Sequence, residues 1–142
     1  MQSVLVEANK RLIKMTDSRY ELKRKEIETK LNVKTGLDFS IFDSYTGKER
    51  DVSSLSGGEK FKASLALALG LSDTISNTHG GIRIDSLFID EGFGSLDTES
   101  LNQALNILTD LSSNDKLIGV ISHVTELISR IDNKIIVRPH YK

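Results

Sequence analysis

Residues 84–97 read Ile84-Asp85-Ser86-Leu87-Phe88-Ile89-Asp90-Glu91-Gly92-Phe93-Gly94-Ser95-Leu96-Asp97. The first six residues predict a buried strand, which ends in the acidic pair Asp90-Glu91. Two acids at the carboxyl end of such a strand suit a site where Asp90 helps to hold magnesium beside a nucleotide. Glu91 then orients and deprotonates the attacking water as general base. The alternative is a strand that simply runs out into two solvated acids, since turns collect such residues. Gly94-Ser95-Leu96-Asp97 follows, and here too two roles compete. The segment can pass between two facing nucleotide sites, or Asp97 or Thr98 can cap the next helix with Glu99 in its first turn.

Toward the carboxyl terminus, Thr98–Leu111 has the spacing of an amphipathic helix and Lys116–Ile121 that of a strand. Val124–Arg130 reads as a short helix and Asn133–Arg138 as a last strand. Such alternation predicts an α/β fold with a largely parallel sheet flanked by helices, its ligand chemistry lying outside the carboxyl ends of the strands. His123 falls at the end of the second strand, which places it beside Asp90 and Glu91. From there it can donate a hydrogen bond to a phosphate oxygen. His79 and His140 have no such company and read as surface residues.

Toward the amino terminus, Leu55-Ser56-Gly57-Gly58-Glu59 precedes an almost unbroken apolar run, Phe61–Leu71, which predicts a buried helix. Glycines let the backbone approach a phosphate closely, Ser56 offers a hydroxyl, and the helix dipole favours negative charge there. Ser56 with Glu59 three residues on also spells a capping box, a compatible use of the same free amides. Asn77–Gly81 is expected to break this helix. Asp43–Ser54 reads as a loop, whereas Arg19–Lys25 and the alternation Leu37, Phe39, Ile41 read as half-exposed strands. Val4, Leu5, Ala8, Leu12 and Met15 recur at helical steps, so a helix opens the sequence.

The 142 residues, 38% of them hydrophobic, suit one compact domain. Without cysteine there is no disulfide, thiolate catalysis or Cys-based zinc site, and three scattered histidines argue against a His-only metal site. No stretch approaches the roughly 20 apolar residues of a membrane span, and no secretory signal is evident, so a cytoplasmic location is expected. The net charge of -1 hides an uneven distribution: residues 1–34 hold nine Lys/Arg and five Asp/Glu, residues 35–142 ten and fifteen. Arg19, Lys23, Arg24, Lys25, Lys30 and Lys34 can meet nucleic-acid phosphates. Interleaved Glu21, Glu26 and Glu28 fit a solvated face equally well.

The order of these segments resembles the second half of an ABC-type nucleotide-binding domain. Leu55-Ser56-Gly57-Gly58-Glu59 matches the ABC signature motif letter for letter, and Asp90-Glu91 resembles a Walker B terminus. Ser95-Leu96-Asp97 resembles a D-loop, and His123 a switch histidine. Within that superfamily the sequence is most similar to the SMC-like DNA-repair exonucleases of the SbcC type. The similarity lies in Ala8–Leu12 and Met15–Tyr20, where their coiled coil rejoins the head, in Asp43–Lys48, and in Phe88–Asp97. No Gly-x-x-x-x-Gly-Lys-Ser/Thr occurs, so the chain carries no Walker A phosphate cradle.

The resemblance implies the C-terminal lobe of an ABC-type P-loop ATPase head, produced as a fragment that cannot hydrolyse ATP alone. Residues 1–16 would be a coiled-coil stub helix and residues 17–142 the lobe. Glu91 and His123 would be catalytic, and Asp90 would bind Mg2+ together with nucleotide. Leu55, Ser56, Gly57, Gly58 and Glu59 would contact the nucleotide of a partner head, with Ser95, Leu96 and Asp97 as D-loop. ATP and Mg2+ are implied for the complete head and not as tight ligands of this lobe. The implied partners are its own N-terminal Walker A lobe, a second copy of the head, an SbcD-type nuclease subunit and double-stranded DNA, with no membrane. An SMC-like structural DNA clamp without a nuclease, and a transporter ATPase, are the alternatives. The opening helix and Glu91-Gly92-Phe93-Gly94 speak against the transporter.

Overall fold

The computed structural model describes residues 2–25, 39–78, 84–113 and 116–139. Helix α1 (Gln2–Met15) leads into strands β1 (Tyr20–Arg24), β2 (Phe39–Asp43) and β3 (Lys48–Asp51). A 3-10 turn at Val52–Ser54 precedes the long helix α2 (Gly57–Thr78). Strand β4 (Ser86–Asp90) and a second 3-10 turn at Phe93–Ser95 lead to α3 (Thr98–Ser112). Strand β5 (Leu117–Ile121) and the short helix α4 (Thr125–Arg130) complete the order. Leu37, Lys30, Lys34, Glu26, Glu28, His79 and His140 lie outside the described residues.

The core forms where the apolar stripe of α1 meets α2. Val4, Leu5, Ala8, Leu12 and Met15 are all buried, and Leu5, Ala8, Leu12 and Met15 pack with Leu65, Ala66 and Leu69 of α2 in one cluster. The two helices cross so closely at Gly70 that a Cβ there would stand 2.6 Å from the Ala8 nitrogen and the Val4 carbonyl oxygen. Only a residue without a side chain permits that backbone approach. Leu101, Ala104, Ile107, Leu108 and Leu111 supply the matching stripe of α3.

The sheets differ from the largely parallel arrangement expected. β1, β2 and β3 form an antiparallel sheet in which Tyr20 faces Asp43, and Asp43 faces Lys48. β4 and β5 form a separate parallel pair that aligns Asp90 with Ile121. A four-residue turn joins β2 to β3, and so short a connection forces antiparallel pairing. The expected loop over 43–54 therefore contains β3. Its Lys48-Glu49-Arg50-Asp51 sequence lacks any apolar signal, yet the ladder to β2, the Ser40–Glu49 hydrogen bond and the Arg50–Asp43 ion pair hold it as an edge strand.

Three further expectations are corrected. The dense run Phe61–Leu71 is not buried all round, because Ser64, Ala68 and Leu71 share a solvent-facing stripe. β4 is half-open: Leu87 and Ile89 pack toward the core, whereas Phe88 is 68% exposed. A two-stranded sheet covered on one face leaves its other face to solvent, and Leu117 and Ile121 are exposed with Phe88. Residues 133–138 form no strand; Ile135, Ile136 and Val137 stand 95%, 72% and 89% exposed. Among the described residues no strand lies beside them to pair their backbone groups.

Candidate nucleotide site

Parallel pairing brings the carboxyl ends of β4 and β5 to one edge. Glu91, just past β4, donates its backbone N–H to the Ile121 carbonyl at 2.9 Å and takes a left-handed conformation with φ +60°. A non-glycine residue at positive φ costs of order 1 kcal/mol or more and persists only where its surroundings hold it. The twist turns the Glu91 side chain toward the chain leaving β5. There His123 Nδ1 lies 3.0 and 3.1 Å from the two carboxylate oxygens. Glu91 and His123 are exposed, as is Asp90. The expected neighbourhood of Glu91 and His123 is thus present, made by register rather than by proximity in sequence.

The residues fit a magnesium ion that arrives with its nucleotide. Among the described residues no group of three metal-ligating side chains exists. One exposed Asp90 carboxylate matches the way Mg2+ is held by one or two carboxylates with phosphate oxygens and water. A dedicated protein cage would need more.

Ser56 and Glu59 form the reciprocal capping box at the start of α2. Ser56 donates its backbone N–H to Glu59 Oε2 at 2.8 Å, and Glu59 donates its own to Ser56 Oγ at 3.3 Å. The cap leaves Ser56 exposed and the amides of Gly57 and Gly58 at the helix mouth. Gly58 is required by a neighbour: a Cβ would stand 2.9 Å from the Ser95 carbonyl oxygen and 3.4 Å from Leu96. Ser95 and Leu96 therefore rest directly on the glycines of residues 55–59. Asp97 caps α3 by accepting the Ser100 N–H at 2.8 Å, and hydrogen bonding from Ser100 holds its carboxyl below the usual range. The capping alternatives raised for Ser56 and Asp97 are realised, and neither removes the exposed amides.

Between these segments and the α1–β1 corner lies a cavity of about 410 Å3, which Ser56, Gly58, Ser95 and Asp97 line, but not Asp90, Glu91 or His123. A second hollow of about 210 Å3 beside Asp73 and Lys116 contains no candidate residue. The site-forming segments are nevertheless joined through the core: Phe61 of α2 and Phe93, two residues past Glu91, pack with ring centroids 4.7 Å apart.

Several polar residues around the cavity escaped the sequence. Glu59 Oε1 accepts the Tyr20 hydroxyl at 2.7 Å, and Arg19 and Arg50 both pair with the buried Asp43. Burial pushes the Glu59 carboxyl up, but hydrogen bonds from Tyr20 and Ser56 and the charge of Arg19 prevail and lower it. Burial likewise pushes the Asp43 carboxyl up, and Arg19, the Tyr45 N–H and Arg50 bring it below its ordinary value. Lys62, inside the run read as apolar, is buried with its ammonium donating to Gln103 Oε1 at 3.1 Å. Burial lowers its pKa against the opposing charges of Asp97, Asp17, Glu59 and Glu99. Only the capping box, by flagging Glu59, gave any sequence signal for this network.

Strand-end acids, a histidine from the adjacent parallel strand and a glycine-rich helix mouth define a lobe of an ABC-type ATPase head. The solved structures agree on the fold. A structure from work on ATP-driven dimerization and DNA-stimulated activation of SMC ATPases superposes with TM-score 0.70, covering 98% of this chain and 78% of that one at 15% identity. The SMC head domain of Thermotoga maritima superposes with TM-score 0.60, covering 91% and 40% at 21% identity. Residues 28–110 match the sequence model of the SbcC/RAD50-like Walker B family, and the chain belongs to that family. It is 58% identical over 131 residues to the SbcC component of the SbcCD nuclease of Vibrio cholerae and 48% identical over 131 residues to that of Staphylococcus aureus (strain JH9). Each match covers 92% of this chain and 13% of the relative, so the chain spans a small part of the proteins it resembles.

Proposed function

We propose that this chain is the C-terminal lobe of the ATPase head of an SbcC-type subunit and acts only when joined to a lobe carrying the P-loop. The observation that carries this is the convergence of Glu91 and His123 within 3.0 Å at the common end of β4 and β5. In the complete head Asp90 would face the metal, which when bound neutralises phosphate charge and orients the nucleotide. Glu91 takes the proton of the attacking water, and His123 Nδ1, already beside that carboxylate, keeps it aimed. Ser56 and the amides of Gly57 and Gly58 receive the nucleotide of a second head, with Ser95, Leu96 and Asp97 passing between the two sites. ATP thereby holds two heads together. The cavity that separates the Ser56 segment from the acid pair supports this division of labour.

The exposed face around Phe88, Leu117 and Ile121 is where the P-loop lobe packs in this scheme, and in its absence that face favours self-association. Residues 1–16 would continue into a coiled coil and residues 17–142 form the lobe proper. The names of the curated relatives support an SbcD-type nuclease partner and, with it, action on double-stranded DNA in repair. No described helix is long and apolar enough to cross a membrane, in keeping with a cytoplasmic location. The SMC-head likeness favours a second reading, a structural DNA clamp without a nuclease; co-purification of the complete subunit with a metallonuclease separates the two.

The isolated chain is expected to bind ATP at most weakly, because the backbone cradle for the phosphates is missing and only the metal-side carboxylates remain. Titration calorimetry of the purified lobe with ATP and Mg2+ checks this. Affinity in the micromolar range, unchanged in Asp90→Asn, would count against the proposal.

A further inference from the structure

Tyr20 takes no part in the nucleotide chemistry above, yet its hydroxyl stands where the antiparallel sheet meets the start of α2. Its ring is buried. The hydroxyl donates to Glu59 Oε1 at 2.7 Å and accepts from Arg50 Nη2 at 3.2 Å. The other oxygen of the same carboxylate, Oε2, accepts the Ser56 N–H at 2.8 Å. Glu59 therefore bridges Tyr20 and Ser56, with one oxygen for each.

The surroundings make this bridge stiff. Arg19 lies 4.7 Å over the Tyr20 ring and 3.8 Å from Glu59 Oε1. Both Arg19 and Arg50 end on Asp43 Oδ2, at 3.3 and 3.2 Å, and Asp43 faces Tyr20 across the β1–β2 ladder. Residues from all three strands of the sheet thus converge beside one carboxylate. Burial first, and the neighbouring Glu59 next, push the Tyr20 phenol up to about 12, so it remains a donor throughout the neutral range.

A capping glutamate alone has rotatable bonds to spare and would let the Ser56 turn fray, since helix ends are held only by such caps. Fixing its far oxygen removes that freedom, and a buried hydrogen bond to a charged group is among the stronger ones. We propose that Tyr20 is a positioning residue for Leu55–Glu59, which acts through Glu59 to hold Ser56 and the adjoining amides in the orientation that receives a second head's nucleotide. The antiparallel sheet and the helix mouth then move as one body. The inference rests on the reading of Ser56 given above.

The test places Tyr20→Phe, which keeps the ring and removes the hydroxyl, in the full-length protein. Nucleotide affinity of the unpaired head should equal wild type. The ATP concentration for half-maximal pairing in sedimentation, and KM, should rise about tenfold, with kcat at saturation retained. In a Glu59→Gln background the same substitution should add little, because both changes act on one bridge. Should Tyr20→Phe fail to fold, Glu59→Gln alone must show the pairing defect. A lower melting temperature with wild-type pairing and KM would overturn the proposal, as would full additivity with Glu59→Gln. Ser56→Arg separates this from failure of the underlying reading. If Ser56→Arg heads pair normally, the reading itself has failed. If they do not pair while Tyr20→Phe heads pair as wild type, only the role of Tyr20 is lost.

Discussion

Glu91→Gln in the full-length protein is expected to slow ATP hydrolysis by about 10²- to 10⁴-fold, the usual contribution of a positioned general base, while nucleotide binding and head pairing persist. The substitution preserves shape, and the features that place the side chain survive it. The backbone bond from Glu91 to Ile121 and the left-handed turn do not involve the carboxylate. The amide still lies within hydrogen-bonding distance of His123 Nδ1, so the local arrangement is kept and only the capacity to take a proton is removed. Steady-state turnover and ATP-dependent sedimentation, measured together, check both halves of the expectation. Hydrolysis near the wild-type rate would mean that Glu91 is not the base.

Ser56→Arg should have the opposite profile: each head binds nucleotide as wild type, pairing is lost, and hydrolysis is lost with it. Ser56 is exposed, so an arginine finds room without disturbing the core. The fold cost is small because half of the capping box survives. The Ser56 N–H still donates to Glu59, as a backbone group unaffected by the side chain, and only the long 3.3 Å bond to Ser56 Oγ disappears. Loss of such a cap costs about 1 kcal/mol. A residue that merely caps α2 would therefore show that modest destabilisation and intact pairing. A residue that meets another head's phosphate would show a pairing defect far larger than the stability change, read by sedimentation against a thermal melt.

The helices and the acid-bearing strand were legible because their signals are local. Val4, Leu5, Ala8, Leu12 and Met15 recur at helical spacing, and all five are buried as that spacing requires. Leu87, Phe88 and Ile89 are apolar in succession and form a strand, but apolarity could not tell which faces have a cover. Phe88 and Leu117 are exposed because only one side of the β4–β5 pair is packed. The same limit accounts for 133–138, where Ile135, Ile136 and Val137 have strand-like composition and no neighbouring strand among the described residues. β3 was hidden for the reverse reason, since Lys48-Glu49-Arg50-Asp51 carries no apolar residue and is stabilised by its partner strand. Within the site, the Glu91–His123 meeting followed from parallel pairing and was legible. The Tyr20–Glu59–Ser56 bridge was not, because a hydrogen bond joining residues 20 and 59 leaves no trace in local pattern.

If this lobe contributes the hydrolytic carboxylate to a P-loop held by another lobe, turnover must depend on both. The most direct measurement is ATP turnover of this chain alone, of the P-loop lobe alone, and of the two co-purified. Turnover is predicted only for the co-purified lobes, and it is abolished when this chain carries Glu91→Gln. Turnover by this chain alone, or turnover by the joined lobes that is indifferent to Glu91→Gln, would contradict a shared site built around Glu91.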